Sequence, residues 1–85
     1  MKFIYKENEI IIKDNNEIIA QIKFKKINND TYDIYKTYVN PAYRGKKIAQ
    51  MLVKEAYNYL KDKGYNIIAT CSYANKWLQT NEKSV

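Results

Sequence analysis

The spacing of apolar and polar residues divides the chain into short alternating segments, one long helical stripe and a final apolar run. Residues 3–5 form a small apolar piece and residues 9–13 a second, separated by polar Lys6, Glu7 and Asn8. Asp14, Asn15 and Asn16 follow, residue types that tolerate tight-turn backbone angles. Over residues 17–26 the alternation is clear. Ile18, Ala20, Ile22 and Phe24 share one face, and Gln21, Lys23 and Lys25 the other, the pattern of a half-buried strand paired antiparallel to the one before the turn. Asn28, Asn29 and Asp30 make a second turn. Residues 31–39 are rich in Tyr, Ile, Thr and Val and predict a third meander strand. Its two faces, Tyr32/Ile34/Tyr38 and Tyr35/Thr37/Val39, are both bulky, which places it centrally in the sheet.

Beyond Pro41 the period changes. Ile48, Leu52, Ala56 and Leu60 recur at four-residue intervals, with Ala49 and Val53 widening the stripe, so an amphipathic helix is predicted over residues 45–63. Lys61 and Lys63 in its last turn and Gly64 just past it mark the stop. Residues 65–71 suit a short strand buried on both faces. Strand, helix, strand implies parallel pairing through a right-handed crossover. Ser72 or Asn75 is placed to cap a short last helix carrying Trp77 and Leu78, and residues 80–85 read as frayed. The predicted fold class is α+β: an antiparallel meander, a crossover helix, a parallel strand and a terminal helix, in one domain spanning residues 1–85.

Size and composition narrow the function classes. Eighty-five residues with 46% hydrophobic content, nine Tyr, one Trp and two Phe describe one modest core rather than a disordered chain. No stretch approaches the roughly 20 apolar residues that cross a bilayer, and the N-terminus lacks a secretory apolar run. One Cys forms no internal disulfide, consistent with a reducing cytoplasm, and with no His a protein metal site is not expected. The net charge of +6 is uneven. Up to Asn40 seven Lys face six acidic residues, whereas from Pro41 onward eight Lys and Arg face three. This excess attracts an anionic cofactor or a nucleic acid, or simply keeps the surface basic.

The basic half contains the candidate chemistry. Val39-Asn40-Pro41-Ala42-Tyr43-Arg44-Gly45-Lys46-Lys47-Ile48-Ala49 leads from a strand end into the long helix. Helix starts hold anions because unpaired N–H groups and the positive end of the peptide dipole point at one spot. Pro41 ends the strand, Gly45 permits a tight backbone, and Arg44, Lys46 and Lys47 add mobile positive charge.

This segment resembles the acetyl-CoA-binding motif of GNAT-type N-acetyltransferases: Arg or Gln, two residues, Gly, one residue, then Gly or Ala, after a Val-x-Pro strand end. Arg44 and Ala49 match, and Lys47 stands where the motif has a Gly. The later run from Thr70 through Cys71, Tyr73, Asn75 and Trp77 to Leu78 is similar to the ending of the minimal single-domain branch of that superfamily. The resemblance covers about residues 35–78. It implies acetyl-CoA as cofactor, with backbone amides from Arg44 through Gly45, Lys46, Lys47 and Ile48 to Ala49 around the pyrophosphate. Tyr38 and Val39 would then offer backbone groups to the pantetheine arm, and Asn75 would line the cofactor's other side.

It also implies catalytic roles. Cys71 would accept the acetyl group or carry a proton, and Tyr73 would protonate the departing thiolate. Structural alternatives stand beside these: Cys71 as a small buried hydrophobe, Tyr73 as packing, Trp77 as a core anchor and Lys76 as a solvated charge. Lys36 occupies the position where minimal members carry a His. A charged Lys is a poor base, which favours direct attack by the acceptor amine.

The function expected is acetyl transfer from acetyl-CoA to an amine, a small molecule or a protein Lys. The alternative is a non-catalytic GNAT-like module that binds CoA or a protein partner. Nucleic acid is disfavoured as a partner, because several tyrosines fall in strand interiors and no RNA- or zinc-binding motif is present. No membrane partner is expected.

Overall fold

Asn15 and Asn16 both take positive φ, 53° and 66°, the backbone of a two-residue hairpin turn whose twist matches that of its flanking strands. In the computed structural model, which describes residues 1–82, this turn joins β2 (Glu9–Asp14) to β3 (Glu17–Asn28). β1 (Lys2–Lys6) pairs outside β2, and β4 (Thr31–Val39) returns along β3. A 3₁₀ turn (Pro41–Tyr43), helix α1 (Ile48–Asp62), β5 (Asn66–Ala69) and helix α2 (Ser72–Glu82) follow. The sheet order is β1-β2-β3-β4-β5, antiparallel except for the parallel β4–β5 pair. The predicted α+β meander with a crossover helix is therefore what the chain adopts.

α1 is amphipathic as its spacing requires. Ile48, Leu52, Val53, Ala56 and Leu60 are buried against Ile10, Ile12, Ile22, Phe24 and Ile34 of the sheet, and α2 adds Ala74 and Leu78 to the same cluster. Each of the Ile, Leu, Val and Phe side chains removed from water contributes about 1.5–3 kcal/mol. No helix among the described residues is long and apolar enough to cross a membrane.

Four expectations are corrected. The helix begins at Ile48, not near residue 45, because Gly45 and Lys47 take positive φ of 82° and 63° and cannot continue a right-handed helix. α1 is thus about 22 Å long at 1.5 Å per residue. β5 is buried on one face only. It is the last strand of the sheet, and Ile67 and Ala69 meet the core while Ile68 stays 45% exposed. α2 continues to Glu82, so residues 80–82 are helical, while residues 83–85 lie outside the described residues. Neither Ser72 nor Asn75 caps it: the Asn75 amide donates to the Cys71 carbonyl at 2.8 Å, which makes Cys71 the cap position.

The alternation of both long strands is broken by bulges. Ile12 pairs with Ala20 and Lys13 with Ile18, so Ile19 is an extra residue in β3. Ile19 and Ala20 are both buried, and Ile18, expected on the core face, is 41% exposed. Tyr35 is the extra residue in β4, between the Lys23–Lys36 and Phe24–Ile34 pairs. Beyond it the faces exchange. Thr37 and Val39 sit beside core residues Ile22 and Ala20, whereas Tyr38 pairs with Gln21 on the opposite face. The expected sets Tyr32/Ile34/Tyr38 and Tyr35/Thr37/Val39 are accordingly divided at residue 35, since one inserted residue inverts a period of two.

Candidate functional site

The Tyr35 bulge lies where β4 and β5 part. Their ladder ends at the Ile34–Ala69 pair, while β4 runs on to Val39. The Ile34 carbonyl accepts from both the Thr70 and Cys71 amides at 3.1 Å, the last main-chain bonds tying the two segments together. Asp33, only 4% exposed, fixes this junction. Its carboxylate accepts from the Thr70 amide at 2.8 Å and from the Thr70 hydroxyl at 2.9 Å, so both oxygens of a buried charge are satisfied. The remaining length of β4, residues 35–39, is left without a strand on that side.

The chain then turns across the top of this open edge. Asn40 accepts from the Ala42 amide at 2.9 Å and starts the 3₁₀ turn with Pro41 at its first position. The Tyr43 hydroxyl donates to Asp14 at 3.2 Å, tying the turn to the β2–β3 hairpin. That carboxylate beside the phenol raises the Tyr43 pKa above the usual tyrosine value. Arg44 folds back, its Nε donating to the Val39 carbonyl at 3.2 Å, and its amide is spent on Pro41.

Gly45 has open space where a Cβ would stand, so its left-handed φ, rather than crowding, is what requires glycine. Lys47 holds the N-cap position in the left-handed region with no side-chain cap, a conformation that costs an L-residue about 1–2 kcal/mol. Among the described residues, the amides of residues 45–50 have no hydrogen-bond acceptor. The first helical bond runs from the Met51 amide to the Lys47 carbonyl at 3.1 Å. No acidic residue occupies the first turn. Six consecutive donors, the end of a helix dipole and nearby cationic side chains make this a candidate anion site.

A cleft of about 480 Å³ joins the turn to the open edge of β4, lined by Thr37, Val39, Tyr43, Arg44, Gly45, Lys47, Ile48, Ala49, Gln50 and Tyr73. No carboxylate lies in this wall. The sequence-nominated residues Val39, Arg44, Gly45, Lys47, Ile48, Ala49 and Tyr73 meet here. Lys46 stands outside with its Nζ 5.6 Å from the Tyr43 ring centre. Tyr38 presents its side chain to the far face of the sheet.

Cys71 is half-buried behind the wall, its thiol donating to the Thr37 hydroxyl at 3.6 Å. Asn75 is occupied structurally: Nδ2 donates to the Ala69 carbonyl at 3.2 Å and Oδ1 accepts from Gln79 at 2.8 Å. Thr37, Tyr43 and Gln50 line the cleft without having been nominated. Gln50 was findable from the position of the helix start. Thr37 depended on the bulge, and nothing distinguished Tyr43 from the other eight tyrosines. Among the described residues no cluster of His, Cys, Asp and Glu could hold a metal.

Similarity to known proteins agrees with this geometry. The family model for the GCN5-related N-acetyl-transferases matches residues 7–85. Among solved structures, a GCN5-like protein from Staphylococcus aureus, assigned as a candidate N-acetyltransferase, superposes with TM-score 0.77 at 25% identity, over 96% of this chain and 81% of its own. The PaiA N-acetyltransferase of Thermoplasma acidophilum in complex with coenzyme A gives TM-score 0.59 at 28% identity, over 66% of this chain and 35% of that one. N-acetylglutamate synthase from Neisseria gonorrhoeae, complexed with coenzyme A and N-acetyl-glutamate, gives 0.70 at 13% identity, over 86% and 18%. The chain therefore spans most of the first of these proteins and a minor part of the other two. A search of curated proteins finds no match. With the family model covering nearly the whole chain and the same fold in these structures, the protein belongs to the GCN5-related N-acetyltransferase family.

Proposed function

We propose that the chain is a single-domain, cytoplasmic N-acetyltransferase that takes acetyl from acetyl-CoA and delivers it to an amine. The observation that carries this reading is the run of unpaired amides at residues 45–50 opposite the unpaired edge of β4. A ligand with a doubly charged diphosphate in its middle and an amide-bearing arm on one side fits both features. The diphosphate takes the amides with Arg44 and Lys47, and the arm's amides take the main chain near Tyr38 and Val39 as an added strand would. The open space beside Gly45 leaves those donors accessible.

When bound, the cofactor supplies an activated thioester; the chain's residues supply position and protons. Tyr73, 43% exposed in the cleft wall, presents a phenol able to hold and release a proton there. The Cys71 thiol is bonded to a hydroxyl, not to a base, which favours direct attack by the acceptor amine over a covalent Cys71 step. Cys71 then serves as packing behind the wall, bonded to Thr37. Cys71→Ser retaining most activity while Tyr73→Phe loses about tenfold is the expected pair of results.

Calorimetry and amide chemical shifts test the cofactor reading: about micromolar affinity for acetyl-CoA, with shifts concentrated at residues 44–49. No shift at millimolar ligand would discard it. A second reading, a CoA-binding module without turnover, is supported by the lack of any His and by the exposure of Lys36 where a base would be expected. Assays across small amines and Lys peptides with CoA release as readout separate the two, since binding without release favours the module.

A further inference from the structure

α1 and α2 both pack against one side of the sheet, the side of Ile22, Phe24 and Ile34. Among the described residues no helix covers the other side. Ile11 is the one buried apolar residue outside the core cluster, and it belongs to this second face, between Ile4 of β1 and Gln21 of β3. The strand register puts six lysines there: Lys2, Lys6, Lys13, Lys23, Lys25 and Lys36. The carboxylates of the same register are Glu9, opposite Lys6, and Asp33, which is buried and spent on Thr70. Two of the cross-strand pairs set lysine against lysine, Lys2 with Lys13 and Lys23 with Lys36. Like charges directly opposite one another destabilise a sheet, a cost that an anion laid between them removes.

We propose that this bare face is a docking platform for single-stranded nucleic acid, its phosphates on Lys23, Lys25 and Lys36 and its bases stacked on Tyr35 and Tyr38. The inference is independent of the cofactor reading, because the face lies across β4 from the cleft: Thr37 and Val39 point to one side, Lys36 and Tyr38 to the other. A position inside a strand buries a tyrosine only where another layer covers it, and here Tyr35 and Tyr38 stay 38% and 37% exposed. Lys25 holds its Nζ 5.3 Å from the Tyr35 ring centre, which brings a cation and an aromatic to one spot, the combination that grips single strands. At about 3.3 Å per residue the two tyrosines lie roughly 10 Å apart along β4, each able to take a base of its own. Gln21, paired with Tyr38, offers an amide to a base edge. Charge and shape set aside the other occupants. A second copy would bring six more lysines against these. A carboxylate-rich peptide gains most from the planar fork of arginine, and this face has none. A duplex keeps its bases stacked on one another, and the broad face of a five-stranded sheet enters neither groove.

Fluorescence anisotropy with a labelled oligothymidylate of about eight nucleotides tests the platform, with amide shifts to locate it. The expected affinity is about 10 μM at low salt, and log K should fall against log salt with a slope of about −2, the value for three phosphate contacts. Shifts should fall on residues 21–25 and 35–38. Tyr35→Ala should weaken binding about tenfold, whereas Tyr35→Phe keeps a stacking ring and should retain most affinity. Lys23→Gln should flatten the salt slope by about 0.7 and also raise the melting temperature, because it dissolves the pair with Lys36. Any of three results overturns the proposal. In the first, the oligonucleotide moves the amides of residues 45–49 instead, which assigns its binding to the turn. In the second, Tyr35→Ala binds as tightly as wild type, or a duplex of the same length or polyglutamate binds as tightly as the single strand, which reduces the face to a general polyanion surface. In the third, the oligonucleotide causes no anisotropy change at about 1 mM, whether or not vesicles containing anionic lipid bind. CoA binding, read separately at residues 45–49, can fail or succeed without changing any of these outcomes.

Discussion

The two ends of β4 are built on opposite terms. Where the strand begins, everything is closed. Phe24 packs edge-on to Tyr32 at 5.8 Å between ring centres, Tyr32 meets Tyr65 at 4.7 Å, and Tyr59 bridges Phe24 and Tyr5. Lys26 and Lys63 lie over the rings of Tyr65 and Tyr59, and the Tyr5 hydroxyl donates to Glu55 on α1. Where the strand finishes, polar groups stand open: an edge without a partner, six amides without acceptors, and a lysine in the left-handed region. The first end stabilises the fold and the second leaves its bonding capacity for a ligand. Substitutions at the two ends should consequently differ in sign as well as in size.

The largest effect belongs to the closed end. Phe24→Ala removes a fully buried ring from between two others, Tyr32 and Tyr59, and should cost about 3–5 kcal/mol, enough to leave much of an 85-residue domain unfolded at 37 °C. Urea denaturation with a midpoint within about 0.5 M of wild type would contradict the assignment of this ring as the keystone.

At the open end the expected sign reverses. Lys47→Gly releases the left-handed strain, against the greater flexibility of glycine when unfolded, for a net gain of about 0.5 kcal/mol or roughly 2–4 °C in melting temperature. The same change removes a cation from the cleft and should weaken CoA binding by up to about fivefold, less at high salt. A variant that loses both stability and affinity would show that Lys47 is held for packing rather than for a ligand.

The smallest effect is a pH dependence at the closed end. The hydrogen bond to Glu55, with lesser contributions from burial and from the Glu55 charge, pushes the Tyr5 pKa up to about 12 from 10. The folded state therefore keeps a proton that the unfolded chain releases first. The stabilisation is fully present below pH 10 and disappears as pH rises through about 12. Tyr5 is 44% exposed, so the effect is slight. Tyr5→Phe should flatten stability between those two pH values in thermal melts, and an unchanged slope would remove Glu55 as the cause.

What could be read from residue order follows from what each signal depends on. The α1 stripe repeats within a single segment, and Ile48, Leu52, Ala56 and Leu60 are buried as their spacing demands. The hairpin at Asn15 and Asn16 is likewise a local matter of which residues accept positive φ. The bulges at Ile19 and Tyr35 exist only in relation to neighbouring strands, and both disturbed the face assignments built on strict alternation. The helix start was misplaced by three residues because Lys47 adopts a conformation its own chemistry disfavours. In the site, the basic turn was legible as a motif. The shared wall of Thr37, Gln50 and Tyr73 needed three distant segments brought together. Trp77 is the core anchor its residue type suggests, half-buried against the core with its ring 5.5 Å from that of Tyr57.

The extra residue at position 35 makes the cleft a matter of counting. Its side chain, 38% exposed with Lys25 over the ring, lines no part of the cleft, so a change of residue type there should leave the architecture intact. Losing the bulge with every residue kept would not be so forgiving. Strict alternation through residue 35 would turn Lys36 and Tyr38 inward and Thr37 and Val39 outward, exchanging the cleft's wall for two large polar side chains.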